Sequence, residues 1–184
     1  NAGAAATGCT NTIAIGSSAL AASATSSGNI ALGTSALAGT SSGANNVAIG
    51  TNSLSGNSTG GNNIAIGASA LATSSTVSNN IAIGSESLTA NLLGTANIGL
   101  GANTLLANTN GTKNLAIGVS ALAANILASN NVAIGDSALA AQNNVLAVNN
   151  TAIGVNALAA NTQGECNVAI GKDAQSILAT VQSF

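Results

Sequence analysis

Ten glycines set the frame of this chain. Gly16, Gly33, Gly50, Gly67, Gly84, Gly101, Gly118, Gly135, Gly154 and Gly171 follow one another at steps of 17 residues, except for the 19 between Gly135 and Gly154. A short fixed period marks a repeat architecture, in which each unit buries its apolar face only against its neighbours. The unit is clearest at 45–54 (NNVAIGTNSL), 62–71 (NNIAIGASAL) and 130–139 (NNVAIGDSAL). No linker or composition shift interrupts the series. The expected organisation is one solenoid domain over 1–184: an N-terminal segment at 1–10, ten repeats over 11–175 and a C-terminal tail at 176–184.

Counting from each glycine as position zero, −1 is always Ile or Leu, and −3 is Ile, Val or Leu except at Thr151. Position −2 is Ala except at Gly99, position −4 is Asn except at Thr12, and position +4 is Leu except at Gln175. The alternation at −3, −2 and −1 has a period of two, which argues a strand. The bulky residues at −3 and −1 are expected to face the core, so that Ile66 and Leu71 stack on Ile49/Ile83 and Leu54/Leu88. Uniformly small residues at −2 then imply close approach of another backbone, from within the coil or from a neighbouring chain. A glycine inside extended chain often marks a tight corner, so a second short strand is expected after it, ending near the +4 Leu. The remainder, such as SGNSTGG at 55–61, is turn chemistry.

Ala and Leu also favour helices, and SALA recurs. Helical repeats, however, usually run beyond about thirty residues, because two packed helices must fit in each. The expected fold is therefore all-β: a parallel β-solenoid, or β-roll, of ten 17-residue coils. Stacked coils place equivalent residues about 4.8 Å apart. One stack is polar: Asn29, Asn46, Asn63, Asn80, Asn97, Asn114, Asn131, Asn150 and Asn167. An amide both donates and accepts, so the column is expected to bond to itself and to the turns, as a structural element rather than a row of ligand-binding groups.

Of the 184 residues only six are charged: Lys113, Lys172, Glu86, Asp136, Glu165 and Asp173. There is no His, and Phe184 is the only aromatic. Two lysines and a net charge of −2 give no electrostatic footprint for nucleic acid. No apolar run approaches the ~20 residues of a membrane span. The chain starts at Asn1 without a charged or apolar leader, which reads as a processed, mature product or a fragment. Glu165 and Asp173 in the final unit are the nearest approach to an acid–base pair, and they read as a solvated, charged end. Two cysteines without His are too few for a zinc site, and the acids are too few for calcium cages. No cofactor, metal or catalytic residue is assigned. Sequons begin at Asn57, Asn110 and Asn149, as chance provides in a chain rich in Asn and Thr.

The NNVAIG, NNIAIG and NTAIG units resemble the Asn-Ser-Val-Ala-Ile-Gly repeats of trimeric autotransporter adhesin heads, and are similar to NxAIGxxAL units of tail-fibre-type surface proteins. That resemblance implies a left-handed parallel β-roll, three chains side by side, displayed outside a cell and binding host or matrix surfaces without catalysis. The departures are a longer period, two cysteines, and the lack of a coiled-coil stalk or membrane-anchor barrel.

Cys9 and Cys166 lie before the first glycine and in the last coil. Nine coil steps separate them by roughly 43 Å, whereas a disulfide needs Cα atoms within about 7 Å. The pair is therefore either free or joined between subunits, Cys166 of one to Cys9 of the next. An assembly tail at Ile177, Leu178, Val181 and Phe184 is expected to dock on the first coil of another copy. The functional expectation is a non-enzymatic extracellular or cell-surface building block that assembles head to tail into a fibre, as a lateral homotrimer, or both. The alternatives are a receptor-binding adhesin or tail-fibre head and, more weakly, an ice-binding solenoid. The last needs a regular Thr array, and the mixed residues at +1 and +2 do not supply one.

Overall fold

In the computed structural model, residues 2–3, 8–23 and 25–175 are described. Each unit contributes one strand. The first five are β1 (Ile13–Ile15), β2 (Ile30–Leu32), β3 (Val47–Ile49), β4 (Ile64–Ile66) and β5 (Ile81–Ile83). The rest are β6 (Ile98–Leu100), β7 (Leu115–Ile117), β8 (Val132–Ile134), β9 (Thr151–Ile153) and β10 (Val168–Ile170). They form a single parallel sheet in sequence order. Register follows the repeat, as in Ile64↔Ile81, Ala65↔Ala82 and Ile66↔Ile83. The parallel β-solenoid expected from the glycine spacing is present, and no helix forms among the described residues.

The inside and outside of the sheet are the reverse of what the apolar pattern suggests. The alanines at −2 from Ala31 to Ala152 are fully buried, Ala169 nearly so and Ala14 on the first strand partly, and the isoleucines on either side of them face out. Ile66 is half-buried, and Ile83 is 39% exposed. The coil is too thin for a branched side chain at −2. A Cβ added to Gly99 would stand 2.6 Å from Ser87 Oγ and 2.7 Å from Thr104 Oγ1 on the opposite wall. The close approach implied by small residues at −2 thus comes from within the coil. The apolar core consists of those alanines, the alanines at +3, and the leucines at +4, the leucines from Leu20 to Leu158 each wholly buried. Leu71 stacks where expected, in the column with Leu54 and Leu88.

The second strand does not form. After the glycine the backbone turns left-handed twice, at +2 and +4, as in Ser69 (φ 56°) and Leu71 (φ 51°). Extended chain cannot contain such residues, so this wall of the coil is a run of turns that bond to the next coil, as Leu71 N–H does to Ser87 O at 3.0 Å. Left-handed leucine is disfavoured by about 1–2 kcal/mol. Complete burial of its side chain contributes about 1.5–3 kcal/mol and outweighs that strain.

The 19-residue coil keeps its strand in register, with Val132 opposite Thr151. Its two extra residues widen the turn around 143–147. Gln142 stands there in a column otherwise of Asn, Ser and Thr, and its longer side chain carries Nε2 across to Ala147 O. At the N-terminal end, residues 2–3 and 8–10 follow the track of a coil preceding β1. Gly3 N–H bonds Ala19 O at 2.8 Å, and Gly28 N–H bonds Thr10 O at 3.0 Å.

Candidate functional site

The asparagine column lies inside the coil, at the residue before each strand. Its members from Asn29 to Asn150 are wholly or almost wholly buried, and Asn167 nearly so. Each Oδ1 accepts the backbone N–H of the next member: Asn63 N–H on Asn46 Oδ1 at 3.0 Å, Asn80 on Asn63 at 3.0 Å, Asn97 on Asn80 at 2.9 Å. The series continues to Asn167 without a gap, through the 19-residue coil. The Nδ2 groups reach across the coil to carbonyls fourteen residues ahead, as Asn46 does to Gly60 O at 2.9 Å and Asn97 to Gly111 O at 2.8 Å. Both ends of these amides are used internally. The column ties the strand wall to the far turn and offers no group to a ligand.

A second buried column escaped the sequence reading. Asn57, Asn91, Asn108, Asn125 and Asn161, at +7, each donate Nδ2 to a carbonyl three residues on, as Asn57 does to Gly60 O at 2.8 Å. Asn108 Nδ2 also bonds Asn91 Oδ1 at 2.9 Å, and Asn125 Nδ2 bonds Asn108 Oδ1 at 2.8 Å. The signal was available in the same period of 17. Ser23, Thr40, Ser74 and Gln142 interrupt the column and disguised it as turn sequence.

What the fold leaves outside is a pair of apolar stripes. Positions −3 and −1 of all ten strands project from one sheet in two straight columns, with Thr151 the only polar member. Exposure is 38% at Ile49 and 37% at Ile153, rising to 69% at Ile170 on the last strand. The stripes run roughly 43 Å from β1 to β10 and, at about 10 Å wide, cover on the order of 400 Å². That is as large as the largest apolar patch a soluble monomer ordinarily shows. A smaller, broken patch sits on the far turn, where Leu92, Leu93, Ile126, Leu127, Val145 and Leu146 are exposed.

The remaining candidate residues lie apart. Cys9 and Cys166 are free thiols at opposite ends of the stack, with Cys9 Sγ 3.0 Å from Ser23 Oγ. Glu165 is exposed, while Asp173 accepts Asn156 Nδ2 at 2.9 Å and pairs with Lys172 at 4.0 Å. No hydrogen bond or ion pair links the two carboxylates among the described residues. No group of three or more His, Cys, Asp or Glu able to hold a metal occurs among those residues. No helix in them is long and apolar enough to cross a membrane. Of the three sequons, Asn57 is wholly buried, whereas Asn110 and Asn149 are exposed. The tail residues Ile177, Leu178, Val181 and Phe184 lie outside the described residues. Comparisons with protein-family models, curated proteins and solved structures returned no match.

Proposed function

We propose that this chain is a non-enzymatic extracellular structural protein, a β-solenoid rod that functions as an assembly of copies of itself packed side by side. The outward isoleucine face is the observation that carries this reading. Two columns of branched apolar residues, interrupted only at Thr151, lie on a regular surface, where water would favour Thr or Ser. A second copy presents the same columns at the same 4.8 Å spacing, so the faces match in period as well as chemistry. At about 25 cal/mol per Å², covering such a face supplies about 10 kcal/mol of gross association energy per subunit. The adhesin-head resemblance implies three chains in such an assembly.

Sedimentation of the full chain tests the proposal, with Ile83→Asp as the variant. Because Ile83 faces outward, the substitution is expected to cost the single coil stack only about 1 kcal/mol through lost strand propensity. The assembly should come apart into single chains that keep the parent's strand signal by circular dichroism. A parent that sediments as a single chain at every concentration overturns the reading.

A head-to-tail fibre is the second level of the same proposal, supported by the outer edges of β1 and β10, which pair with no other strand among the described residues. Unpaired edges recruit strands. Such a joint has a geometric condition. Gly3 and Gln175 hold the same place in their coils, each left-handed and one place beyond the residue at +3. Pairing β10 of one copy with β1 of the next therefore brings residues 2–3 and 174–175 onto one track, and one segment must give way. Electron microscopy should show filaments longer than one solenoid. If Cys166 joins Cys9 across the joint, Cys9→Ser should shorten the filaments under non-reducing conditions. Uniform particles of one solenoid length overturn the fibre while leaving side-by-side packing standing.

A further inference from the structure

The asparagines differ in whether the two groups needed for ring closure are free: the side-chain carboxamide and the backbone N–H that follows it. Asn45, Asn62, Asn79, Asn130 and Asn149 are all exposed, at position −5. In each, however, the next amide is held in the asparagine ladder. Asn46 N–H bonds Asn29 Oδ1 at 2.8 Å, Asn63 N–H bonds Asn46 Oδ1 at 3.0 Å, and Asn150 N–H bonds Asn131 Oδ1 at 2.9 Å. Asn110 stands outside that protection. It is exposed on the far turn between β6 and β7, and its carboxamide makes no hydrogen bond to the described residues.

Its successor is Gly111, which offers no side chain to obstruct approach. At the matching places in other coils, Gly60 N–H donates to Asn57 Oδ1 at 3.0 Å and Gly164 N–H to Asn161 Oδ1 at 2.8 Å. The Gly111 N–H has no such bond. Asn110–Gly111 is also the chain's only Asn-Gly pair.

We propose that Asn110 is the site at which this protein deamidates spontaneously. The Gly111 nitrogen, losing its proton to base, forms a bond to Asn110 Cγ, and the Cγ–Nδ2 bond breaks to release ammonia. The cyclic imide that results takes up one water at either carbonyl and opens to aspartate or to isoaspartate. No oxidant or reductant is involved. The product adds one negative charge to a chain whose net charge is only −2. The isoaspartate form also lengthens the backbone of that coil by one atom, beside Thr109 O, which accepts the N–H groups of Leu92, Leu93 and Gly94.

The test is peptide mapping of the full chain after incubation at mildly alkaline pH, folded and in denaturant. In the folded protein, the mass gain and the aspartate/isoaspartate doublet should accumulate at Asn110. Folding should slow Asn45, Asn62 and Asn79 many-fold relative to the denatured chain but slow Asn110 only a few-fold. Asn110→Gln should remove the principal product and leave the circular dichroism unchanged. Suppression of Asn110 by folding to the same degree as Asn45, or modification spread evenly over the exposed asparagines, overturns the assignment.

Discussion

Gly67→Ala is expected to destabilise the solenoid severely, and Gly171→Ala only mildly. Both glycines turn the chain at the end of a strand with φ in the region closed to side chains, +134° and +123°. That strain alone is worth about 1–3 kcal/mol. The difference lies in what the added methyl meets. At Gly67 it would stand 2.5 Å from Gly84 O, 2.6 Å from Gly84 C and 3.0 Å from Ser85 N. All three are backbone atoms of the next coil, fixed in place because Gly84 N–H bonds Ile66 O at 2.7 Å. The two coils cannot both keep their bonds and make room. Several further kcal/mol are expected, to the order of magnitude of the most damaging single substitutions. At Gly171 nothing among the described residues lies within 4 Å. Because stability in a stacked repeat is a sum of neighbour terms, Gly67→Ala should also uncouple the coils on its two sides. Thermal unfolding should show a lower first transition or two transitions, with new protease cleavage near residue 67. Equal melting of the two variants would show that the glycines are needed for φ alone.

The repeat made the architecture legible, because only stacked coils fit seventeen residues and a glycine corner. It did not reveal which way the strand faces. Ile-Ala-Ile has a period of two whichever face is buried, and the usual preference for large apolar cores points the wrong way here. The deciding quantity is coil thickness, a property of the opposite wall. Ser87 and Thr104 close the space over Gly99, and no inspection of the strand alone supplies that distance. The second strand failed for a related reason. Leu at +4 looks like the end of an apolar alternation, yet it reaches the core from a left-handed residue, a conformation its side chain does not advertise. The ladder through Asn46, Asn63 and Asn80 was legible because nine of ten units carry Asn at −4. The +7 column was not, because four substituents interrupt it and one belongs to the widened coil.

The direction in which the strand faces decides where copies of the chain can meet. With isoleucine inside, the sheet would show water only a column of small alanines, and association would rest on the ends of the stack and the broken patch on the far turn. With alanine inside, every coil but that of Thr151 contributes two apolar side chains to a common face. Lateral packing then gains with each repeat, and the length of the solenoid has a physical use.

The asparagine ladder should respond to substitution in a way that identifies the role of each amide atom. Asn80 Oδ1 accepts Asn97 N–H at 2.9 Å, and its Nδ2 donates to Gly94 O at 3.0 Å and Ser78 O at 3.2 Å. Asn80→Leu leaves the buried Asn97 N–H without a partner, worth about 1–3 kcal/mol. It also forces a branched side chain into the place of a flat one, at about 1–3 kcal/mol more. Gly94 O keeps the bond from Asn91 Nδ2 at 2.8 Å, so the acceptor side is not orphaned. A loss of about 2–6 kcal/mol, independent of pH, is expected. Asn80→Asp keeps the shape and the acceptor but places a carboxyl in a buried site, where desolvation raises its pKa above the unfolded value. The folded state then binds more protons than the unfolded state between those two pKa values. Stability must therefore fall as pH rises through that window and be regained in acid, where the protonated oxygen can donate to Gly94 O. The four native carboxylates, Glu86, Asp136, Glu165 and Asp173, are all exposed, so the buried one should dominate the difference from the parent. Denaturation midpoints across the acid range read this directly. If Asn80→Asp loses stability toward acid instead, the site stabilises the anion, and the donor role assigned to Nδ2 is wrong.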